Sequence, residues 1–574
     1  MQKSKKKLKT GADALLECIH KHGVKYIFGH PGGAAIPIFD ALVGSPLKFI
    51  LTRHEQGATH MADGVARATG RAGVVLVTSG PGATNTITGL ITSQMDSTPM
   101  VVITGQTITP MLGLDAFQEA DVSGISYPVV KHSYLVKNVH DIPRIVKEAF
   151  YLAESGRPGP VLIDIPKDIA STLFEPNYDV AMDLPGYHVP SHGDPVAISQ
   201  AADYLNKARK PLLLIGHGTV IANAGPAVRY LAETMQIPVT NTLLGKGGFP
   251  ETHALSLGML GMHGTAYANK AVVGCDLIMS IGSRWDDRIV GRLKDFCPDA
   301  IKIHVDIDPA EMGKMVVPHC SIVGDARLVI EELNTQLKKG DTTDWIKQIN
   351  RWKKQFPLSY KKHGGLKMQY ILDELYQMTK GKAVITADVG QHQMWAAQFC
   401  KVDHRFHWIT TGGAGTMGFG MPAAIGAQMA RPDALVVAVV GDGGFQMTLS
   451  ELATAAVNKV PIKVLIMNNR YLGMVRQWQN LFYDDRLSGV DLEGNPDFVK
   501  LAESYGIKGF RIKRNAEVHK VLAAALAYRE GPCVIEAVVE KEDNVYPMIP
   551  AGAAISEMVL GPPKKKMAKP VGST

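Results

Sequence analysis

At 574 residues the chain is too long for one hydrophobic core, and three domains of about 150–200 residues are expected. An apolar share of 46% and a charged share of 20% exclude a disordered or fibrous chain. The +7 net charge comes from the ends: Lys3, Lys5, Lys6, Lys7, Lys9, Lys564, Lys565, Lys566 and Lys569 outweigh it and leave about −2 for the body. No aromatic residues interleave with these lysines, so solvated ends are expected and nucleic-acid binding is not. The six cysteines (Cys18, Cys275, Cys297, Cys320, Cys400, Cys533) are scattered, with no Cys-x-x-Cys. That speaks against a zinc site or a disulfide framework and fits a reducing, cytoplasmic setting. The apolar patch Ala14-Leu15-Leu16 is cut by Glu17 and His20, and no apolar run approaches about 18 residues, so no membrane span is expected.

Taken in chain order, residues 8–180 alternate strand-like and helical stretches. Tyr26–Phe28, Lys48–Leu51, Val74–Val77, Met100–Ile103 and Val161–Pro166 are short apolar runs, the pattern of parallel strands buried on both faces. Thr52-Arg53-His54-Glu55-Gln56-Gly57-Ala58 lies where the second of these passes into a helical stretch through Met61, Val65 and Ala66. By itself Glu55 reads as a solvated helix-start carboxylate favoured by the dipole. A Pro/Gly connection, residues 185–193, leads to a second α/β region, 190–345. There Pro211–Ile215 runs into Gly216-His217-Gly218, Leu277–Ile281 into Gly282-Ser283-Arg284, and Ile301–Val305 into Asp306. Strand-end glycine turns and a strand-end acid suit a dinucleotide, and equally suit an empty α/β domain. A third α/β region spans 365–545, followed by a tail, 546–574.

In that third region an apolar run, Leu435–Val440, enters Gly441-Asp442-Gly443-Gly444. A helical spacing through Leu449, Leu452, Ala456 and Val460 predicts one helix over 443–459, and a second apolar run, Val464–Met467, ends in Asn468-Asn469. This is a βαβ unit with polar clusters at both strand ends. Asp442 and the Asn469 amide offer hard oxygens to a divalent metal, and a backbone carbonyl near Tyr471 offers a third, as Mg²⁺ prefers. Gly443 and Gly444 leave helix-start amides open to a phosphate. Gly413-Ala414-Gly415-Thr416-Met417-Gly418, with Asp433 beyond it, formally matches a nicotinamide fingerprint. Thr410-Thr411 makes a poor strand end and Asp433 follows Arg431-Pro432, so that match is discounted. The fold class expected is α/β, with three doubly wound parallel-sheet domains.

Gly441-Asp442-Gly443 with Asn468-Asn469 resembles the thiamine diphosphate motif of the decarboxylase and carboligase superfamily. Gly261-Met262-His263-Gly264 and Gly282-Ser283-Arg284-Trp285-Asp286-Asp287-Arg288 resemble the FAD segments of the acetohydroxyacid synthase family, with Trp285 where Phe is usual. Pro31-Gly32-Gly33, Ser79–Asn85, Asp115–Asp121, Ser155–Pro160, Pro166-Lys167-Asp168, Tyr471–Gln479 and Pro547–Gly552 extend the likeness over about residues 10–560. The resemblance implies pyrimidine-binding, FAD-binding and diphosphate-binding domains in turn, with thiamine diphosphate, Mg²⁺ and FAD as cofactors. It implies that Glu55 activates the cofactor through its pyrimidine nitrogen. Gly32, Gly33, Gln391, His392, Gly415, Met417, Gly441, Asp442, Gly443, Gly444, Asn469 and Met474 would hold that cofactor, with Met417 a wedge between its rings. For FAD it implies Arg157, Gly216, Gly218, His263, Gly282, Arg284, Arg288, Asp306, Ile307 and Asp325. The metal would sit on Asp442, Asn469 and Tyr471.

The implied reaction is decarboxylation of pyruvate and transfer of the two-carbon unit to a second pyruvate or to 2-oxobutanoate, the first common step towards the branched-chain amino acids. Arg288 would fix the acceptor's carboxylate and Trp478 its alkyl group, with Gln118 and Lys167 also in the active site. At least a homodimer is implied, since Glu55 and Asp442 would meet across two subunits, and so is a small regulatory subunit. Two other readings stay open on the residues alone: an FAD-dependent pyruvate oxidase or other thiamine diphosphate carboligase, and a non-catalytic nucleotide-binding scaffold.

Overall fold

The computed structural model describes residues 8–362 and 364–562. The end lysines other than Lys9 lie outside them. Three six-stranded, all-parallel sheets follow one another along the chain, with helices on both faces. The first comprises β1 (Tyr26–His30), β2 (Lys48–Leu51), β3 (Gly73–Val77), β4 (Met100–Gln106), β5 (His132–Leu135) and β6 (Pro160–Pro166). The second comprises β7 (Pro211–Ile215), β8 (Val239–Asn241), β9 (Ser256–Met259), β10 (Leu277–Ile281), β11 (Ile301–Asp306) and β12 (Cys320–Val323). The third comprises β13 (Val384–Ala387), β14 (Trp408–Thr410), β15 (Val436–Gly441), β16 (Lys463–Asn468), β17 (Lys508–Ile512) and β18 (Cys533–Val538). β3, β4, β6, β7, β10, β15 and β16 are buried at every position, which is why they read as unbroken apolar runs.

Strand order separates the domains into two kinds. The first sheet runs β2-β1-β3-β4-β6-β5 and the third β14-β13-β15-β16-β18-β17, the same order counted within each domain. The middle sheet runs β9-β8-β7-β10-β11-β12, the order of dinucleotide-binding folds. Its direction of winding reverses between β7 and β10, where the Gly216 amide donates to Ile281 O (2.9 Å) and the Gly218 amide to Gly282 O (3.0 Å). A Cβ on Gly216 would come 2.1 Å from Gly282 O, and Gly282 itself has φ +63°, so this crossing needs glycine on both strands.

The first and third domains are joined through two helices, Glu55–Thr69 and the buried Gly420–Ala430. Their backbones nearly touch: a Cβ on Gly64 would lie 2.1 Å from Ala423 O, and one on Gly426 1.9 Å from Met61 O. Glu451 reaches across the same boundary to accept the Arg53 and His54 amides at 2.9–3.2 Å, just ahead of the Glu55 helix.

Two local expectations fail. The helix expected over 443–459 is three pieces: Asp442–Met447, a 3-10 turn at Leu449–Glu451, and Leu452–Val457. Thr448 breaks it with φ −134°, because its hydroxyl donates to Gly418 O (2.9 Å) in a neighbouring loop. Thr410 does end a strand, β14, since Gln393 and Ala387 satisfy its side chain. Asp433 lies in the turn before β15, so the nicotinamide reading still fails. Within the segment read as a tail, Ile549, Ala553 and Ile555 enter the core of the middle domain.

Gly426→Ala forces the two helices apart and should cost about 1–3 kcal/mol of stability, read as a lower denaturant midpoint with the cofactor-free protein. An unchanged midpoint would contradict the packing described.

Candidate active site

The register of the third sheet builds the first half of the site. Gly441 pairs with Met467, so Asp442 and Asn469 leave neighbouring strand ends within two residues of that pair. Asp442 is buried, and its Oδ2 accepts the Arg470 amide (3.0 Å) and Asn495 Nδ2 (2.7 Å). Burial outweighs those donors and pushes its pKa up to about 6. Asn469 Oδ1 accepts the Tyr471 amide (3.1 Å), and its Nδ2 faces Gln391 Oε1 at 3.5 Å. Gln391 is held by donating to Gln477 Oε1 and Asp543 O, both at 2.8 Å. His392 accepts the Gly441 amide at Nε2 (3.1 Å); burial lowers its pKa to about 3, so the ring is neutral and steadies the turn.

Gly443 and Gly444 stand in the first turn of the helix Asp442–Met447. Across from them, Asp388 accepts the Gly418 amide at 3.0 and 3.1 Å and so fixes the loop bearing Gly415 and Met417. Gly415 has φ +62° with open space beside it, and Met417 Cε lies 3.7 Å from where a Cβ on Gly443 would be. Among the described residues no cluster of three or more His, Cys, Asp or Glu could hold a metal. One buried carboxylate, one amide oxygen and a main-chain carbonyl nevertheless fit a hard cation that completes its shell from a diphosphate and water.

The second half is a cavity of about 720 Å³ between the middle and third domains. Its middle-domain wall holds Gly218, His263, Gly282, Arg284, Arg288, Asp306, Ile307 and Asp325; Arg157 closes it from the first domain, and Gly415, Met474 and Trp478 from the third. Gly216 stands one residue outside the lining, at the strand crossing. Arg157 donates to Ser97 Oγ (2.9 Å), Asp308 Oδ2 (3.1 Å) and Glu311 Oε1 (2.7 Å). Burial raises the Asp306 pKa to about 6. Asp325 caps the helix Ala326–Asn334. His263 is buried, its pKa lowered to about 4 by burial, and its Nε2 has no partner in the protein. A glycine-lined strand crossing, a strand-end acid and this orphaned nitrogen fit a flavin dinucleotide. Arg288 lies 5.7 Å over the Trp478 ring and is half exposed, a cation beside a flat apolar wall.

The third group stays apart. Glu55 opens its helix, and its Oε2 accepts Asn85 Nδ2 (3.0 Å). Gln118 sits in the left-handed region (φ +57°), its carbonyl 2.8 Å from where a Cβ on Gly80 would be. Gly32 packs on Thr78, Gly33 opens a 3-10 turn, and Lys167 is exposed at the end of β6. All lie at the carboxyl edge of the first sheet, and none of Glu55, Gln118, Lys167, Gly32 or Gly33 lines the cavity. Sequence reasoning missed Asn495, Asp388 and Glu451. Each acts through a tertiary hydrogen bond from a distant segment, and no local pattern marks it.

Comparison with known families fixes the assignment. Models of thiamine pyrophosphate enzymes match in chain order: the N-terminal TPP binding domain over 9–125, the central domain over 198–333 and the C-terminal TPP binding domain over 388–537. The chain is 48% identical to the acetolactate synthase large subunit of Porphyra purpurea, covering 96% of this chain and 95% of that one. It is 45% identical to the large subunit from Haemophilus influenzae, covering 97% and 99%. The chain belongs to the acetolactate synthase large-subunit family. It is a thiamine pyrophosphate-dependent enzyme of that type. The acetolactate synthase reading of the sequence therefore holds over the oxidase and scaffold readings, and the three α/β domains are those of this family. Among the described residues no helix is long and apolar enough to cross a membrane.

One buried acid in the first domain supports the Gln118 loop. Asp164 accepts Thr104 Oγ1 (2.6 Å) and Gln106 Nε2 (2.9 Å), and Gln106 also donates to Ala120 O (2.9 Å). Burial raises the Asp164 pKa to about 7. The unfolded chain releases this proton near pH 4. The stability it contributes is therefore full below about pH 4 and lost as pH rises through about 7. Asp164→Asn should shrink the fall in urea midpoint between about pH 5 and about pH 8. Equal falls in both proteins would refute the assignment.

Proposed function

We propose that this chain decarboxylates pyruvate and joins the two-carbon unit to a second pyruvate or to 2-oxobutanoate, giving 2-acetolactate or 2-aceto-2-hydroxybutanoate. The observation that carries this reading is the Arg288–Trp478 pair on the cavity wall beside Met474 and Gly415. An acceptor that keeps its carboxylate needs a fixed cation, and one distinguished by a single methylene needs an apolar surface. Thiamine diphosphate, when bound, supplies the electron sink for loss of CO₂. Asp442, Asn469 and the Tyr471 carbonyl would hold Mg²⁺, and the start of the Asp442–Met447 helix would offer amides to the phosphates. Glu55 holds a proton at the pyrimidine nitrogen, Met417 and Gly415 support the rings, and Gln118 and Lys167 close the far side. FAD occupies the middle-domain wall, on the residues from Arg157 to Asp325 described above.

That Glu55 and its neighbours lie off the cavity supports a working site that takes them from a second copy of the chain, in an enzyme that is at least a homodimer. The relatives are named large subunits, which supports a smaller regulatory partner.

With pyruvate, 2-oxobutanoate, Mg²⁺, thiamine diphosphate and FAD supplied together, both acetohydroxy acids should form; acetate or acetyl phosphate in their place would defeat the reading. Glu55→Gln should remove at least about 99% of carboligation while thiamine diphosphate still binds. Trp478→Leu should cut the preference for 2-oxobutanoate over pyruvate by about tenfold or more, read as the product ratio under competition. Inactive Glu55→Gln and Asp442→Asn proteins, mixed and reassociated, should regain roughly a quarter of wild-type activity, since half the dimers would carry one intact site. No recovery after proven subunit exchange would argue for sites within one chain.

A further inference from the structure

Asp96 closes the helix Ile87–Asp96 of the first domain, is buried, and touches all three domains. Its Oδ1 accepts the Gly413 amide (2.7 Å) and its Oδ2 the Gly412 amide (3.1 Å) and Arg67 Nη2 (2.9 Å). Arg67 is buried as well, paired with Asp63, and donates to Thr410 O (2.8 Å). The loop that continues to Gly415 and Met417 is thus seated on one carboxylate. Gly413 must be glycine for it to fit: a Cβ would come 2.7 Å from Met95 Cβ and 3.1 Å from Asp96 Oδ1.

The same residue holds the opposite wall. Its main-chain carbonyl takes the Nδ1 proton of His217 (2.8 Å), in the turn between Gly216 and Gly218. A carbonyl can only accept, so the proton is on Nδ1 and the lone pair on Nε2. Burial lowers the ring's pKa and keeps it neutral. Asp96, His217, Gly412 and Gly413 all line the cavity, with Gly218 and Gly282 on one side and Gly415 and Met474 on the other. Two carboxylates and one guanidinium, all buried, are tolerable only while every donor and acceptor is matched, so the cluster favours one arrangement of both walls.

We propose that Asp96 is a positioning residue common to the two cofactor sites, so that thiamine diphosphate and FAD bind with positive coupling. The inference rests on the reading that FAD occupies the middle-domain wall. A cofactor that orders either wall fixes Asp96 and lowers the ordering cost at the other, and such coupling is reciprocal.

Thiamine diphosphate with Mg²⁺ is titrated by tryptophan fluorescence into full-length protein, flavin-free and FAD-saturated, and FAD by flavin fluorescence with and without thiamine diphosphate. Each Kd should fall about fivefold or more when the other cofactor is present, by the same factor both ways. Asp96→Asn sets an N–H against the Gly412 and Gly413 amides or Arg67. It should raise the thiamine diphosphate Kd about tenfold and bring the coupling below about twofold. His217→Ala leaves the buried ion cluster intact and keeps the test alive if Asp96→Asn fails to fold; it too should bring the coupling below about twofold. Kd values in wild type that ignore the other cofactor overturn the inference, as does coupling that survives His217→Ala. A wild-type protein that binds no FAD defeats the cofactor reading, and the inference with it.

Discussion

The contact between the helices Glu55–Thr69 and Gly420–Ala430 sets the geometry on which the rest depends. Gly64 and Gly426 let main chain meet main chain, so the separation of the first and third domains is fixed by backbone and not by adjustable side chains. At that spacing Arg67 reaches the end of β14, Asp96 reaches the loop beyond it, and Glu451 reaches the amides ahead of Glu55. A wider gap would loosen all three together, so these buried polar contacts share the cost of any change in the helix packing.

Buried carboxylates recur in one role across the site. Asp388 takes the Gly418 amide, Asp442 the Arg470 amide, Asp96 those of Gly412 and Gly413, and Glu451 those of Arg53 and His54. Each anchors a loop at a strand end by main-chain donors, which leaves the loop's own side chains free for ligands. Buried histidines are the complement: His392, His263 and His217 are kept neutral by desolvation, so they serve as fixed donors or acceptors.

Strands were legible in the sequence because both faces of each central strand are covered, which turns them into plain apolar runs. The turn chemistry at Gly441-Asp442-Gly443 and Asn468-Asn469 was legible for the same reason, each lying directly beyond such a run. Strand order was not, since nothing in Val74–Val77 tells which neighbour it takes. Thr448 shows the limit from the other side: helical spacing runs straight through it, and only a hydroxyl bond to Gly418 stops the helix. Asn495 and Asp96 were illegible because their partners lie 53 and 317 positions away.

The matching strand order of the first and third sheets carries a further meaning. Glu55 follows the second strand of its domain, and the Thr411–Gly415 loop follows the second strand of the other. Asp442 follows the third strand, and its counterpart is the Thr78–Gly80 turn. One chain therefore contains two copies of a single scaffold whose equivalent edges differ in their side chains, Glu55 on one and Asp442 on the other. In its fold, a single chain is close to a dimer of one of its own domains.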